Sequence, residues 1–275
     1  MNAETTKTGR AVSLLAAQPR IGELTRAATA AGGRLRFARG LRNGWEEARS
    51  DANILTAVHA CAAQGLIVYA KVLRLALGQV DPHEHIAPAL AVWRMGSVVT
   101  GLLDPLNLPR GVQPRPKSQP PAPQLLGNLW TAYRPHLEAE TPFGLARGDL
   151  STLVELLQTG GNAVTRAGLA WAHLSANARA EAGEAFVGAH PAGMTLARYV
   201  LATSGVEPTG TALLGYAAMA DPGAYQRALA GYRGGSLDGV NGWLEWFGQA
   251  VETGAEAGER LAQSVLAGVS WDGIS

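Results

Sequence analysis

The segment that decides the fold is EAFVGAHPAGMTLARYVL, residues 184–201. It places the pair His190-Pro191 after a long Ala-rich run over 162–184. Because alanine has the highest helix propensity, this run predicts one long helix. Gly193 then predicts a turn before the next helix begins. A turn that opens a helix directs free backbone N–H groups outward, and such groups favour phosphate.

Apolar residues recur at helical spacing through most of the remaining chain, and the alternating pattern of a β-strand is not found. The sequence therefore predicts an all-α fold, a helical bundle with an N-terminal helical extension. Besides the run over 162–184, the predicted helices cover 45–60, 66–77, 86–103, 124–137, 153–158, 196–203, 225–232 and 237–267.

Three local signals predict helix starts. An Asp-Pro pair combines a capping side chain with a proline that fits the first turn. A threonine followed three residues later by a glutamate has the spacing of a capping box. These signals are Asp81-Pro82, Asp221-Pro222 and the pair Thr152 and Glu155.

Glycines predict two interruptions of the helical pattern. Gly32-Gly33 predicts a break in the N-terminal helices, and Gly254 predicts that 237–267 forms two helices. Residues 1–10 are polar, which predicts a loose terminus.

Prolines recur from Pro105 to Pro123, and no helix or central strand can run through such a segment. We interpret it as an extended loop or linker. It could instead be a Pro-rich ligand for a partner protein. The predicted organisation is an N-terminal helical region over 1–103, a Pro-rich loop or linker over 104–123, and a helical core over 124–275.

The charge of the chain argues against a nucleic-acid partner. The formal net charge is +1, and charged residues make up 16% of the sequence. A large basic face is therefore not expected. A local basic cluster at 34–42 is interpreted as a solvated helix face.

Cysteine content and hydropathy predict a cytoplasmic protein without a membrane span. The only cysteine, Cys61, lies in an apolar run and is predicted to be a buried small hydrophobe. No internal disulfide is possible, which fits a reducing compartment. The uncharged run 52–70 has the length of a membrane span but contains polar side chains that lipid disfavours, so a pair of core helices is predicted.

The candidate site residues follow from the opening segment. His190 is the candidate general base, and Gly193, Thr195 and Arg198 are candidate ligands of a phosphate or nucleotide. No metal site is predicted, because His83 and His85 would need a third ligand elsewhere.

The same segment resembles the Fic family, whose motif HPFx(D/E)GNGRxxR joins two core helices. His190-Pro191 matches the start of the motif and Arg198 matches its last arginine. The downstream order is also similar, with a Gly and a Pro at 205–208, a Tyr-rich helix at 225–232 and an aromatic run at 243–247. The resemblance covers about residues 160–268 and implies a Fic-like bundle. Upstream there is only a weak similarity at 48–54.

The resemblance implies a specific chemistry. In the family, the motif histidine is the general base, the acidic residue holds Mg²⁺, and the GNG turn and arginines hold phosphates. If the protein is active, ATP with Mg²⁺ would be the cofactor, and a protein hydroxyl would receive AMP.

The motif is degenerate in this sequence. His190 and Arg198 are closer together than in the family, Ala192 replaces the aromatic residue, and the acidic and Asn positions are missing. A second alignment places Phe186 at the motif aromatic and Glu184 at the histidine position, with Arg198 still at the far end. Under either alignment the set of residues that would bind the metal ion and the triphosphate is incomplete.

Several functions therefore stay open. The first is a degenerate Fic-like protein, without ordinary AMP transfer, that acts by binding a protein or a nucleotide. The second is an active nucleotidyl- or phosphotransferase with a rearranged site. The third is a regulatory partner of a Fic-type toxin. The segment could also be a helix joint that binds no ligand.

Overall fold

The computed structural model describes residues 6–78, 84–106, 118–134, 142–179 and 189–269. Within these ranges the chain forms twelve α-helices and no β-strand, so the predicted all-α fold class is confirmed. The helices are α1 (Lys7–Ala16), α2 (Pro19–Arg36), α3 (Trp45–Ala62), α4 (Ala70–Ala76), α5 (Ala87–Leu102), α6 (Ala122–Tyr133), α7 (Arg147–Gln158), α8 (Ala163–Asn177), α9 (Ala189–Thr203), α10 (Leu214–Ala220), α11 (Pro222–Arg233) and α12 (Leu237–Leu266).

Side-chain caps fix the start of several helices. The Asp221 carboxylate accepts a hydrogen bond from the Ala224 N–H at 2.8 Å, and α11 begins at Pro222. The Asp221-Pro222 prediction is therefore confirmed. The Asn162 side chain accepts from the Thr165 N–H at 2.9 Å and starts α8. The other predicted pair, Asp81-Pro82, lies outside the described residues.

The core is continuous from the N-terminal helices to the last helix. One apolar cluster extends from Val12 of α1 to Leu261 of α12. Helices α8 and α9 pack closely at its centre, and α12 lies across α2. Trp171 of α8 and Trp243 of α12 are fully buried there, and the Trp243 indole donates to a backbone carbonyl of α8 at 2.8 Å. The N-terminal extension thus packs against the same core as the C-terminal helices.

Both breaks predicted at glycines are wrong. Helix α2 runs through Gly32-Gly33, and α12 is one helix of 30 residues that includes Gly254. A Cβ at Gly32 would lie 2.1 Å from the Val206 carbonyl oxygen, and one at Gly254 would lie 3.0 Å from the backbone of Leu213. These glycines therefore allow another chain segment to approach the helix, and they do not end it.

The predicted loose terminus is wrong for the described residues 6–10, and the helix start predicted at Thr152 is also wrong. Helix α1 begins at Lys7, inside the predicted loose terminus, because the Thr6 hydroxyl caps the Gly9 N–H at 3.0 Å. Helix α7 begins at Arg147, so Thr152 lies inside it, with its hydroxyl donating to a carbonyl one turn earlier. Such a bond is compatible with a helix interior, and no capping box forms.

The uncharged run 52–70 divides between two helices. Helix α3 ends at Ala62 and α4 begins at Ala70, and Gly65 between them has a φ of +81°. In the described ranges, no helix combines the length and the hydropathy that crossing a bilayer requires. Cys61 is buried at the end of α3, as predicted, and burial raises the pKa of its thiol to about 12.

Of the Pro-rich segment 104–123, the structure describes 104–106 and 118–123. Residues 104–106 and 118–121 form no helix, and α6 begins at Ala122. His83 lies outside the described residues. Glu184 and Phe186, on which the second alignment with the Fic motif depends, also lie outside them.

Candidate functional site

The turn predicted at Gly193 is wrong, because α9 begins at Ala189 and is helical through this residue. A Cβ at Gly193 would lie 2.7 Å from the Trp171 ring and 2.8 Å from the Trp171 carbonyl oxygen. Gly193 therefore lets α8 and α9 pack closely. Inside a helix its N–H is used by the backbone ladder, so it is not a free donor for phosphate.

His190 lies in the first turn of α9 and is 5% exposed. Its ring centroid is 4.7 Å from that of Tyr225 and 5.4 Å from that of Trp171. Neither ring nitrogen has a hydrogen-bond partner among the described residues. Burial lowers the pKa of His190 to about 3. The imidazole is therefore neutral and is a very weak base.

Thr195 and Met194 are fully buried within α9. The Thr195 hydroxyl donates to the Pro191 carbonyl at 2.8 Å. A Cβ at Gly215 would lie 2.9 Å from the Met194 sulfur, so the methionine packs against the start of α10. The Thr195 hydroxyl therefore bonds within its own helix, and no open phosphate site surrounds it.

Arg198 is also buried, on the side of α9 that faces the segment 207–212. Its Nη2 donates to the Gly210 carbonyl at 3.1 Å. Burial lowers the pKa of Arg198 to about 10, although the nearby Glu207 carboxylate acts in the opposite direction. The guanidinium remains charged at neutral pH, and its counter-charge comes from the chain itself.

Glu207 is held by its own loop. One carboxylate oxygen accepts from the Thr209 N–H at 3.1 Å and from the Thr209 hydroxyl, and the other accepts from the Gly210 N–H at 3.1 Å. Gly210 has a φ of +68°, a conformation that favours glycine. Burial raises the pKa of Glu207, while its hydrogen bonds and Arg198 oppose the shift. An internal carboxylate thus occupies the N–H groups that could otherwise hold an anion beside Arg198.

A cleft of about 430 Å³ lies on the other side of this loop, between α3 and α5. Most of the side chains that line it are aromatic, cationic or hydroxyl- and amide-bearing, and Glu46, Leu103 and Pro105 also line it. They include Trp45, Arg49 and Asn53 from α3 and Trp93, Ser97 and Thr100 from α5. This mixture of indole rings and polar groups is typical of small-molecule sites.

Arg49 lies at the base of this cleft and is 4% exposed. Its Nε donates to the Thr209 carbonyl at 2.8 Å and its Nη1 to the Asp104 carbonyl at 3.0 Å. The guanidinium carbon lies 4.9 Å from the centre of the Trp45 ring. Burial lowers the pKa of Arg49, which Glu207 and Asp104 partly counteract. Arginine remains protonated in proteins, so the base of the cleft carries a fixed cation.

Three buried polar atoms on the cleft residues have no hydrogen-bond partner in the described part of the chain. They are Arg49 Nη2, Asn53 Oδ1 and Thr100 Oγ1. The Asn53 amide nitrogen is by contrast engaged, donating to the Trp93 carbonyl at 2.9 Å and to the Ser97 hydroxyl at 3.0 Å. Buried polar atoms are usually paired, and such unpaired atoms also occur around His190, so they do not single out the cleft, which is a functional candidate because of its volume and lining.

The cleft was not among the sites predicted from the sequence, although part of a signal for it is present there. Trp45, Arg49 and Asn53 are spaced four residues apart, which places them on one face of α3. The burial of Arg49 itself had no clear signal, because the stretch 48–58 also contains Ser50, Asp51 and Asn53. Glu207 carried no comparable signal, because its role depends on a loop that meets α9 only in the folded chain.

No family model matches the chain, and no match is found among curated proteins. Across the ranges that the structure describes, no three His, Cys, Asp or Glu side chains group closely enough to hold a metal ion.

Proposed function

We propose that this protein acts by binding and does not carry out AMP transfer, as a Fic-like protein whose motif is degenerate. The observation that carries the proposal is the position of His190. A general base must reach the proton that it removes and must be basic enough to hold it. His190 is enclosed by Trp171 and Tyr225, and its pKa is about 3.

The surroundings of Arg198 support the same proposal. A Fic-type arginine would direct its charge at nucleotide phosphates. Here the guanidinium is buried against the Gly210 carbonyl and lies near the Glu207 carboxylate. Its Nη1 has no hydrogen-bond partner in the described residues, but a phosphate bound there would lie near the Glu207 carboxylate, which would repel it. Nucleotide binding at α9 is therefore the least supported form of the binding hypothesis.

The cleft between α3 and α5 is the better supported binding site. It is open to solvent, it has the volume of a small-molecule pocket, and the almost fully buried Arg49 lines it. It does not include His190, Gly193, Thr195 or Arg198.

Transfer of AMP can be tested directly. The full chain is incubated with Mg²⁺ and with ATP labelled in the α-phosphate, both alone and with a bacterial lysate, and labelled protein is detected on a gel. We expect no label that depends on this protein. Label that disappears with the His190→Phe variant would refute the proposal and support the alternative of an active transferase. An exposed substitution, Thr131→Ala, is the control for protein handling.

A further inference from the structure

We propose that the cleft between α3 and α5 binds a flat organic molecule with a single negative charge, of the chemical class of aromatic carboxylates. This inference rests on the proposed binding function and names the ligand class of its site.

The walls of the cleft favour a flat ring. The indoles of Trp45 and Trp93 come from two different helices and both line the cavity. Aromatic rings stack on indoles or meet them edge to face, and such contacts add to the free energy of burying apolar area. The volume of about 430 Å³ accommodates a molecule of one or two fused rings.

The base of the cleft favours an anion. Arg49 is almost fully buried, and the two hydrogen bonds that it makes to carbonyls leave its Nη2 without a partner in the described ranges. A guanidinium forms its strongest hydrogen bonds with a carboxylate. Asn53 and Thr100 also line the cleft, but the Asn53 side chain is engaged by α5, so Arg49 carries the preference for an anion.

The rim of the cleft limits the charge of the ligand. Glu46 lines the opening, and Asp104 adjoins it through the backbone carbonyl that accepts from Arg49. Both residues are exposed, so water screens their charges more than it screens the buried guanidinium. A ligand with one carboxylate can place it beside Arg49. A triphosphate carries several negative charges, and the carboxylates at the rim would repel them.

A matched pair of probes separates charge from shape. Isothermal titration calorimetry of the full chain is carried out with 2-naphthoate and with 2-naphthamide, which has the same rings and no charge. We expect 1:1 binding of the carboxylate, at least about tenfold tighter than binding of the amide, because a hydrogen bond to a charged group is the stronger one. We expect ATP to bind more weakly than 2-naphthoate.

A matched pair of variants locates the binding. Ser50 is exposed on α3 and lines the cleft, so Ser50→Trp should fill the opening without disturbing the core. Thr131 is exposed on α6 and is not among the lining residues, which makes Thr131→Trp the control. Binding of 2-naphthoate should fall at least tenfold in the first variant and remain unchanged in the second.

Four results would overturn the inference. They are no binding of 2-naphthoate, equal binding of carboxylate and amide, tighter binding of ATP, and full binding by Ser50→Trp. None of these results measures AMP transfer, which the labelling assay tests separately. A failure of the ligand class can therefore be distinguished from a failure of the proposed function.

Discussion

Replacing His190 by phenylalanine should flatten the dependence of stability on acid pH. The pKa of His190 is lowered by burial from an ordinary 6.5 to about 3, so the unfolded chain takes up the proton first. A lowered pKa gives stability that is present above pH 6.5 and is lost as the pH falls towards 3. At pH 5 the loss is about 2 kcal/mol, from about 1.4 kcal/mol for each pH unit below 6.5.

The His190→Phe variant keeps an aromatic ring against Tyr225 and Trp171 and removes the titrating group. Its free energy of unfolding should therefore fall by about 2 kcal/mol less than that of the wild type between pH 7 and pH 5. The measurement is urea unfolding followed by circular dichroism at both pH values. Comparing each protein with itself removes any effect of the substitution at pH 7.

His85→Phe is the matched control, because His85 is exposed and lies far from this aromatic cluster in sequence. Equal losses of stability in the wild type and in His190→Phe would refute the reasoning. Such a result would mean that the imidazole can take up a proton in the folded protein. His190 would then remain available as a general base, and the transferase alternative would gain support.

Three further predictions concern stability and reactivity. Glu207→Gln removes the negative charge near the buried guanidiniums of Arg49 and Arg198, so it should lower the free energy of unfolding, measured by urea denaturation, by about 3–5 kcal/mol. Glu46→Gln, at an exposed position, should change it by less than about 0.5 kcal/mol. Gly32→Ala should destabilise the protein by about 1–3 kcal/mol, because its Cβ would lie 2.1 Å from a carbonyl oxygen. The neighbouring Gly33 has no described atom within 4 Å of such a Cβ, so Gly33→Ala should stabilise the protein by about 0.5–1 kcal/mol. Cys61, 4% exposed and with a thiol pKa of about 12, should resist alkylation by iodoacetamide at pH 8 until urea unfolds the chain.

Each of these outcomes has a result that would contradict it. Equal effects of Glu207→Gln and Glu46→Gln would show that the loop carboxylate does not balance buried charge. Equal effects of the two glycine substitutions would show that α2 does not pack closely on the segment at 206–207. Rapid alkylation of the native chain would show that the end of α3 opens.

The sequence determined the all-α class and some of the helix starts whose signals are local, although the capping-box spacing at Thr152 and Glu155 was misleading. Asp221-Pro222 is an example, because a capping carboxylate and the N–H that it accepts lie three residues apart. The burial of Cys61 could also be predicted, since it lies in an apolar run at the C-terminal end of its helix. These features depend on neighbours along the chain, and they need no knowledge of how the helices pack.

Only the tertiary structure decided the environment of each candidate residue. A glycine that breaks a helix and one that admits a neighbouring backbone look the same in sequence, so Gly32, Gly193 and Gly254 were misread. His190 has the residue type of a base, but Trp171 and Tyr225 come from other helices and set its pKa. The Gly210 carbonyl that pairs with Arg198 and one of the two carbonyls that pair with Arg49 lie in the loop at 207–212. Pairing over such distances in the chain follows from packing, which local sequence patterns do not encode.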